Sequence, residues 1–498
     1  MPLENKKAAA AGLTAADFTN DPRVQACLEE LHAKFGPGGT PLIVSDVLDA
    51  NGHQYVNLVQ KGGGVFGVAL VGYTYVLEEM GIRFLRLAGT SAGAINTALM
   101  TVINAKEEKK SDQVLKAICE LDFFALVDGH PAARWIIRNF ITQRNFTTKA
   151  KRWVFLILAV LALLITGDVV LMGLRSSFPA LSVLAGIFFV LSGFWTLLMG
   201  VGIYYVTNLL KRLKNSGFGI NPGDYFYDWI KKLLLTNNVA TVSALQKKAG
   251  TCPPLQLRVP HPQGLKELEG DVTFIASELV TQNKIQFPAM CNLFRKDIDT
   301  LQPAGFIRAS MSIPVFFESY MITEIPYKDE DIKKAWKDTF NETAPPGIAR
   351  FVDGGILSNF PINLFYNPRI STPRLPNFGI DLNDSKPGDR KQNAYGWSLQ
   401  GYFGRMFNTI RNYYDKDFLL KNKGYQRGIG TVDLSSDKFN WLNFFLSKED
   451  KIELFALGAI AAKNFLETFD WEAYKRDREK MQKDLNTEAA PATPVSNI

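Results

Sequence analysis

Two apolar runs constrain this chain more than any other feature. Residues 153–174 are apolar apart from Thr166 and Asp168, and residues 178–210 carry no charge. Each is long enough, as a helix, to cross a bilayer core, which takes about 20 residues. A soluble core helix of that length keeps a polar face, and neither run has one. The connection, Arg175-Ser176-Ser177, permits only an antiparallel hairpin, with Ser176 or Ser177 as cap and Pro179 in the first turn of the second helix. Lys149, Lys151 and Arg152 precede the first run, and Lys211, Arg212 and Lys214 follow the second. By the positive-inside rule both flanks, the catalytic part and both chain ends are cytoplasmic. Ala159, Ala162, Thr166 and Gly173 recur near heptad spacing, as do Gly186, Gly193 and Gly200, which predicts a close left-handed pair along these residues. Asp168 reads as an interface residue near the outer end, within reach of Arg175.

The rest of the chain has the composition of a folded protein, with 47% hydrophobic and 21% charged residues. A net charge of +7 with no compact Lys/Arg tract among aromatics argues against nucleic acid and fits a surface beside anionic lipid. Cys27, Cys119, Cys252 and Cys291 are far apart, so they form neither metal spacing nor a disulfide framework and read as buried free thiols. The N-terminus lacks the apolar core of a signal peptide. Residues 1–20 read as loose and 21–34 as a helix.

The chemistry sits on either side of the hairpin. Residues 55–60 and 84–88 read as strands, each followed by a glycine-rich turn and then a helix, at 65–80 and 94–104. The second turn, Gly89-Thr90-Ser91-Ala92-Gly93, is G-x-S-x-G. A serine on a sharp strand-to-helix turn stands above the sheet, and a side chain at either glycine would clash. The helix start supplies free N–H groups and a positive dipole end for an oxyanion. In the first turn Gly62, Gly64 and Gly67 fit G-x-G-x-x-G. The dinucleotide reading fails because the next strand ends in Leu87-Ala88-Gly89 without an acid, and the P-loop reading fails because no Gly-Lys-Ser/Thr follows. A loop of backbone donors beside Ser91 remains.

Beyond the hairpin, Gly223-Asp224 opens a helix at 225–235, residues 271–277 and 284–287 form paired strands, and 303–311 is a helix. A strand at 350–352 ends in Asp353-Gly354-Gly355. The chain has only His32, His53, His130 and His261, and none follows Asp353, so the order serine–acid–histidine is not available. An aspartate held against a serine can itself act as base. Asp353, at a strand end and followed by two glycines, is the candidate.

These motifs, in this order, resemble the patatin-like phospholipase family. The likeness rests on residues 62–67, 89–93 and 353–355, on Gly223-Asp224 before a helix with Trp229, and on residues 309–314 with Phe316. It covers about 55–102 and 217–382. Phe66 stands where the family usually has Lys or Arg.

The resemblance implies a three-layer α/β/α sandwich; the apolar runs add an inserted transmembrane helical hairpin, and a helical C-terminal region follows. The divisions are an N-terminal segment (1–50), a discontinuous catalytic domain (51–150 and 215–390), the hairpin (151–214), a helical region (391–480) and a disordered tail (481–498). It further implies a Ser91–Asp353 dyad with Thr90 in the nucleophile turn. Gly62, Gly63, Gly64, Gly67 and Ala92 line the oxyanion hole, and Gly354 and Gly355 complete the acid motif. No metal or cofactor is required. The implied substrate is a membrane phospholipid or related acyl ester. A transacylase and a catalytically silent lipid-binding scaffold are the alternative functions. Residues 383–392 read as a charged linker. The stripe Tyr402, Phe403, Met406, Phe407, Ile410 and Tyr413 reads as core packing rather than as an interfacial lid. Ser447 caps a last long helix.

Overall fold

Glycine-punctuated apolar runs become parallel strands buried on both faces. In chain order the strands are β1 (Val47–Asp49), β2 (Gln54–Gln60), β3 (Ile82–Thr90), β4 (Gly219–Asn221), β5 (Leu255–Leu257), β6 (Asp271–Glu278), β7 (Lys284–Phe287), β8 (Val315–Phe317), β9 (Tyr320–Ile322), β10 (Ala349–Asp353), β11 (Asn377–Asn383) and β12 (Ile429–Asp433). The computed structural model describes residues 12–129, 131, 146–174, 178, 181–215, 217–367, 370, 372–384, 399–436 and 438–488. His130, Arg175, Ser176, Ser177, Pro179, the linker residues 385–392 and the tail residues 489–498 lie outside the described residues.

The fold is mixed α/β. Its main sheet runs β12-β11-β2-β3-β6-β10-β9, with β1, β5 and β7 attached off this path. Neighbours from β12 to β6 are parallel. β10 and β9 join antiparallel. β2 is buried along its whole length although its sequence alternates. Its polar side chains bond inside the protein: Asn57 Nδ2 donates to Asn377 Oδ1 at 2.7 Å, and Gln60 Nε2 to Thr97 Oγ1 at 3.0 Å.

Helix Gly67–Glu79 is apolar all round and is buried from Val68 to Glu78, as such a sequence requires. It packs against helix Lys448–Thr468, which Ser447 caps by accepting from Asp450 N–H. Two glycines set this crossing. A Cβ on Gly72 would lie 2.0 Å from Phe455 O, and one on Gly458 would lie 1.9 Å from Ala69 O. Gly458→Ala is therefore expected to cost about 2–3 kcal/mol of stability, because backbone rather than a flexible side chain must yield. Gly250→Ala, whose nearest neighbour is 3.9 Å away, is the control. Denaturant unfolding of both variants measures the difference.

Residues 15–19 and 481–488 are helical where the sequence predicts a loose segment and a tail. Ala15–Thr19 is a helix inside the segment expected to be loose. Phe18 is fully buried, with its ring 5.5 Å from that of Phe455. The last helix spans Trp471–Glu488, so residues 481–488, expected in the tail, are helical. All four cysteines are free; Cys27 and Cys291 are buried, whereas Cys119 and Cys252 are partly exposed.

The chain divides into two compact units. One comprises Met1–Leu126, Gly223–Pro314 and Ser319–Ile498; the other comprises Val127–Pro222 and Val315–Glu318. The second unit contains helices Phe146–Leu174 and Leu181–Asn215. Their segments Lys151–Leu174 and Leu181–Asn208, with mean hydropathy 2.8 and 2.1, are long and apolar enough to cross a membrane by length and composition. It also contains the two-stranded parallel sheet of β4 and β8.

One detail of the helix pair corrects the sequence reading. A Cβ on Gly173, Gly186, Gly193 or Gly200 would meet nothing within 4 Å, so these glycines do not line the contact. The contact is instead made by Gly167 against the Phe188 ring, by Trp195 Nε1 donating to Ile157 O at 3.3 Å, and by Ser192 Oγ donating to Asp168 Oδ2. Asp168 is thus held between the helices by a hydroxyl on the partner helix. Heptad spacing selects a face, but larger side chains choose which face meets the neighbour.

Candidate active site

The register of β6 assembles the site. β3 ends with Thr90 opposite Ile275, while on the other side of β6 Asp353, at the end of β10, lies opposite Ala276. Ser91 and Asp353, distant in sequence, therefore reach the same level of the sheet from either side of one strand. Ser91 Oγ donates to Asp353 Oδ2 at 2.6 Å. Both residues are buried, 4% and 6% exposed.

Each partner is held by the local geometry its neighbours permit. Ser91 has φ 53° and ψ −121°, a backbone conformation that costs a non-glycine residue on the order of 1–3 kcal/mol. The flanking glycines make room for this turn. A Cβ on Gly89 would lie 2.3 Å from the Gly93 backbone, and one on Gly93 would lie 2.3 Å from Gln60 O. Thr90 Oγ1 donates to Ser358 O at 3.0 Å. Asp353 Oδ1 accepts from Gly355 N–H at 2.7 Å, which leaves Oδ2 facing the serine. Gly354 allows the approach to β6, where a Cβ would lie 2.1 Å from Ile275 O.

Residues 309–314 hold both halves at once. Ser310 Oγ accepts the Ser91 N–H at 3.0 Å, and Ser312 O accepts the Asp353 N–H at 2.8 Å. Ser310 is the last residue of helix Pro303–Ser310 and is fully buried. The sequence marked this segment only as part of a resemblance; its task of joining the two residues follows from the structure. From the same helix Arg308 presses its guanidinium against Gly223, where a Cβ would lie 2.4 Å from Arg308 Nε.

The glycine loop beside Ser91 is only partly a donor set. Gly62 N–H donates to Asn359 O at 3.0 Å, and Gly67 N–H is taken by Gly64 O and Val65 O. Those two amides are committed, which corrects their placement in the oxyanion hole. Gly62 and Gly67 serve close packing instead: their Cβ atoms would lie 3.0 Å from Ser91 Cβ and 3.1 Å from Ala92 Cβ. The N–H groups of Gly63 and Gly64 have no acceptor among the described residues. Ala92 opens helix Ala92–Val102, so its N–H has no intrahelical acceptor. Phe66, where the family tends to be basic, is a buried core residue, 2% exposed.

Among the described residues, no histidine takes part in this arrangement. His53 bonds Asp49 through Nδ1 at 2.9 Å, and His261 Nε2 lies 3.1 Å from Thr372 O. His32 lies in the last turn of helix Pro22–Phe35.

A mixed α/β sheet thus sets a serine on a strand-to-helix turn against an aspartate at a neighbouring strand end. The family model for patatin-like phospholipase matches residues 58–366, well over half of the chain, and the protein belongs to that family. The family acts on lipid substrates, and membership implies lipid acyl hydrolase activity. The Bacillus subtilis (strain 168) uncharacterized protein YqhO is 26% identical over 421 residues, covering 84% of this chain and 100% of that protein. Among solved structures, VipD from Legionella pneumophila aligns over 86% of this chain and 71% of its own, with 12% identity and a TM-score of 0.32.

Proposed function

We propose that this protein is a membrane-anchored serine lipid acyl hydrolase that works through a Ser91–Asp353 dyad on a three-layer α/β/α sandwich. The observation that carries this reading is the 2.6 Å hydrogen bond from Ser91 Oγ to Asp353 Oδ2 at the head of a helix. Asp353 takes the hydroxyl proton as Ser91 Oγ attacks the ester carbonyl. Gly63, Gly64 and Ala92 donate N–H groups to the oxyanion. The tetrahedral intermediate collapses, the alcohol leaves with the proton from Asp353, and the acyl group stays on Ser91. Water, deprotonated by Asp353, then releases the fatty acid and restores the serine. Each step uses groups of this chain and water alone.

The two apolar helices serve as the anchor, with both chain ends and the catalytic domain (51–150 and 215–390) on the cytoplasmic face. The hairpin interrupts the sequence between Ser91 and Asp353, so only an even number of crossings leaves the two on one side. This predicts that alkaline carbonate leaves the protein in the membrane fraction. Tags at either end should resist protease added outside intact cells. Release into the soluble fraction would remove the anchor from the proposal.

A fluorophosphonate probe tests the chemistry. It should label wild-type protein at Ser91 and no other residue, and labelled protein should stop releasing fatty acid from phospholipid vesicles. Absence of labelling would favour a silent lipid-binding scaffold. Labelling with transacylated product in place of free fatty acid would reassign the protein as a transacylase.

A further inference from the structure

A buried carboxylate outside the dyad is bonded to the segment that pairs with the glycine loop. Asp415 lies in helix Leu399–Lys421, beyond the residues matched by the family model. It is 7% exposed. Its Oδ1 accepts from Ser358 Oγ at 2.8 Å and its Oδ2 from Phe360 N–H at 2.8 Å. Burial pushes its carboxyl up, and the hydrogen bonds from Phe360 and Ser358 pull it back. A charge is expensive to keep at such a position unless it is bonded. Among the described residues, its side-chain hydrogen bonds run to one short segment, residues 358–360.

That segment reaches both sides of the candidate site. Asn359 pairs with Gly62 in both directions: Gly62 N–H donates to Asn359 O at 3.0 Å, and Asn359 Nδ2 donates to Gly62 O at 3.2 Å. One residue earlier, Ser358 O accepts from Thr90 Oγ1 at 3.0 Å, next to Ser91. One side chain on a distant helix thus sets a three-residue clamp that touches the glycine loop with one hand and the nucleophile turn with the other. The same helix also carries exposed apolar and aromatic side chains. Tyr402, Met406 and Tyr413 are 51%, 43% and 67% exposed, which corrects the core-packing reading for these three. Next to Asp415, Tyr414 accepts from Asn363 Nδ2 at 3.0 Å and carries Lys284 Nζ over its ring at 4.3 Å.

We infer that Asp415 is a positioning residue for acyl transfer: by holding residues 358–360 it sets the distance between the Gly63 and Gly64 donors and Ser91 Oγ. The kinetic half of this inference rests on the hydrolase reading; the structural half does not. An oxyanion donor moved by about 1 Å loses on the order of 10² in rate. Asp415→Ala leaves the Phe360 N–H and the Ser358 hydroxyl without their acceptor and lets the segment drift. Asp415→Asn keeps an acceptor for Phe360 N–H, and its amide can donate to the Ser358 hydroxyl, which accepts as readily as it donates. The clamp needs the shape and hydrogen bonds of the side chain, so the Asn variant should restore most of what Ala loses.

The test uses full-length protein in detergent micelles, with Asp415→Ala, Asp415→Asn and, as a control on the same helix, Asp417→Asn. Hydrogen exchange should accelerate at residues 62–66 in the Ala variant and remain as in wild type within helix Gly67–Glu79. Turnover of a short-chain p-nitrophenyl ester should fall about 10²-fold in kcat with KM changed by less than about twofold. The Asn variant should recover both readouts, and Asp417→Asn should move neither. Unchanged exchange at residues 62–66 in a folded Ala variant would overturn the inference, as would acceleration spread evenly through helix Gly67–Glu79. If wild-type protein turns over no ester, the hydrolase reading falls, and exchange at residues 62–66 alone decides whether the clamp exists.

Discussion

Ser91→Ala is expected to lower fatty-acid release from phospholipid vesicles by on the order of 10⁴-fold or more, and Asp353→Asn by a similar factor. The alanine removes the atom that forms the acyl bond. The residual rate is what donors and substrate binding supply without a nucleophile, so it need not reach zero. The asparagine is the sharper test. Its oxygen still accepts the Gly355 N–H that Asp353 Oδ1 takes at 2.7 Å, so the strand end keeps its shape. Its amide nitrogen has no lone pair available to take the serine proton. Loss of turnover in a variant that unfolds like wild type therefore isolates proton transfer. Full activity in Asp353→Asn would exclude the aspartate as base, and fatty-acid release by Ser91→Ala at the wild-type rate would exclude the serine as nucleophile. Both assays belong beside fluorophosphonate labelling, which should disappear in Ser91→Ala and slow strongly in Asp353→Asn.

Gly64→Ala should reduce kcat by about 10²–10³, the usual loss of an oxyanion donor, with little change in KM. Gly64 has φ +56°, and a Cβ there would lie 2.3 Å from Trp441 O. Two penalties coincide: a left-handed backbone that L side chains resist, and a wall of backbone rather than a movable side chain. The same carbonyl accepts the Val65 N–H at 3.0 Å, so the loop cannot retreat without losing that bond. Relief must come from rotating the peptide planes that present the Gly63 and Gly64 N–H groups. Gly81→Ala separates the two penalties, because Gly81 has φ +77° but no neighbour within 4 Å of its Cβ position. It should cost stability and leave turnover alone. Equal losses in the two variants would show that backbone strain, not displacement of the donors, is responsible.

Local pattern carried much of this molecule. Lys284–Phe287 is the strand that pairs back on β6, Ser447 caps its helix, and the strands before both glycine turns lie within a residue or two of their sequence positions. These features are written in neighbouring residues, through side-chain alternation, capping chemistry and the intolerance of tight turns for a Cβ. The meeting of Ser91 with Asp353 was expected from an ordered set of motifs, a likeness that names the partners but not what holds them.

What holds them depends on register and on the whole chain's path. A shift of β6 by one residue would change the level at which β3 and β10 end relative to each other, and no local pattern encodes that offset. Nor does sequence reveal which amides of a glycine run are already taken. Gly62 and Gly67 look like Gly63 and Gly64 until Asn359 O, Gly64 O and Val65 O are in place. Ser310, Asn359, Asp415 and Trp441 take their places in the same way, by long-range hydrogen bonds. The sequence by itself determined where the turns must be and which residue types can work in them. Tertiary structure decided which N–H groups of the glycine loop are taken among the described residues and how far Ser91 Oγ stands from Asp353 Oδ2, because hydrogen-bond commitment and strand offset belong to pairs of distant residues.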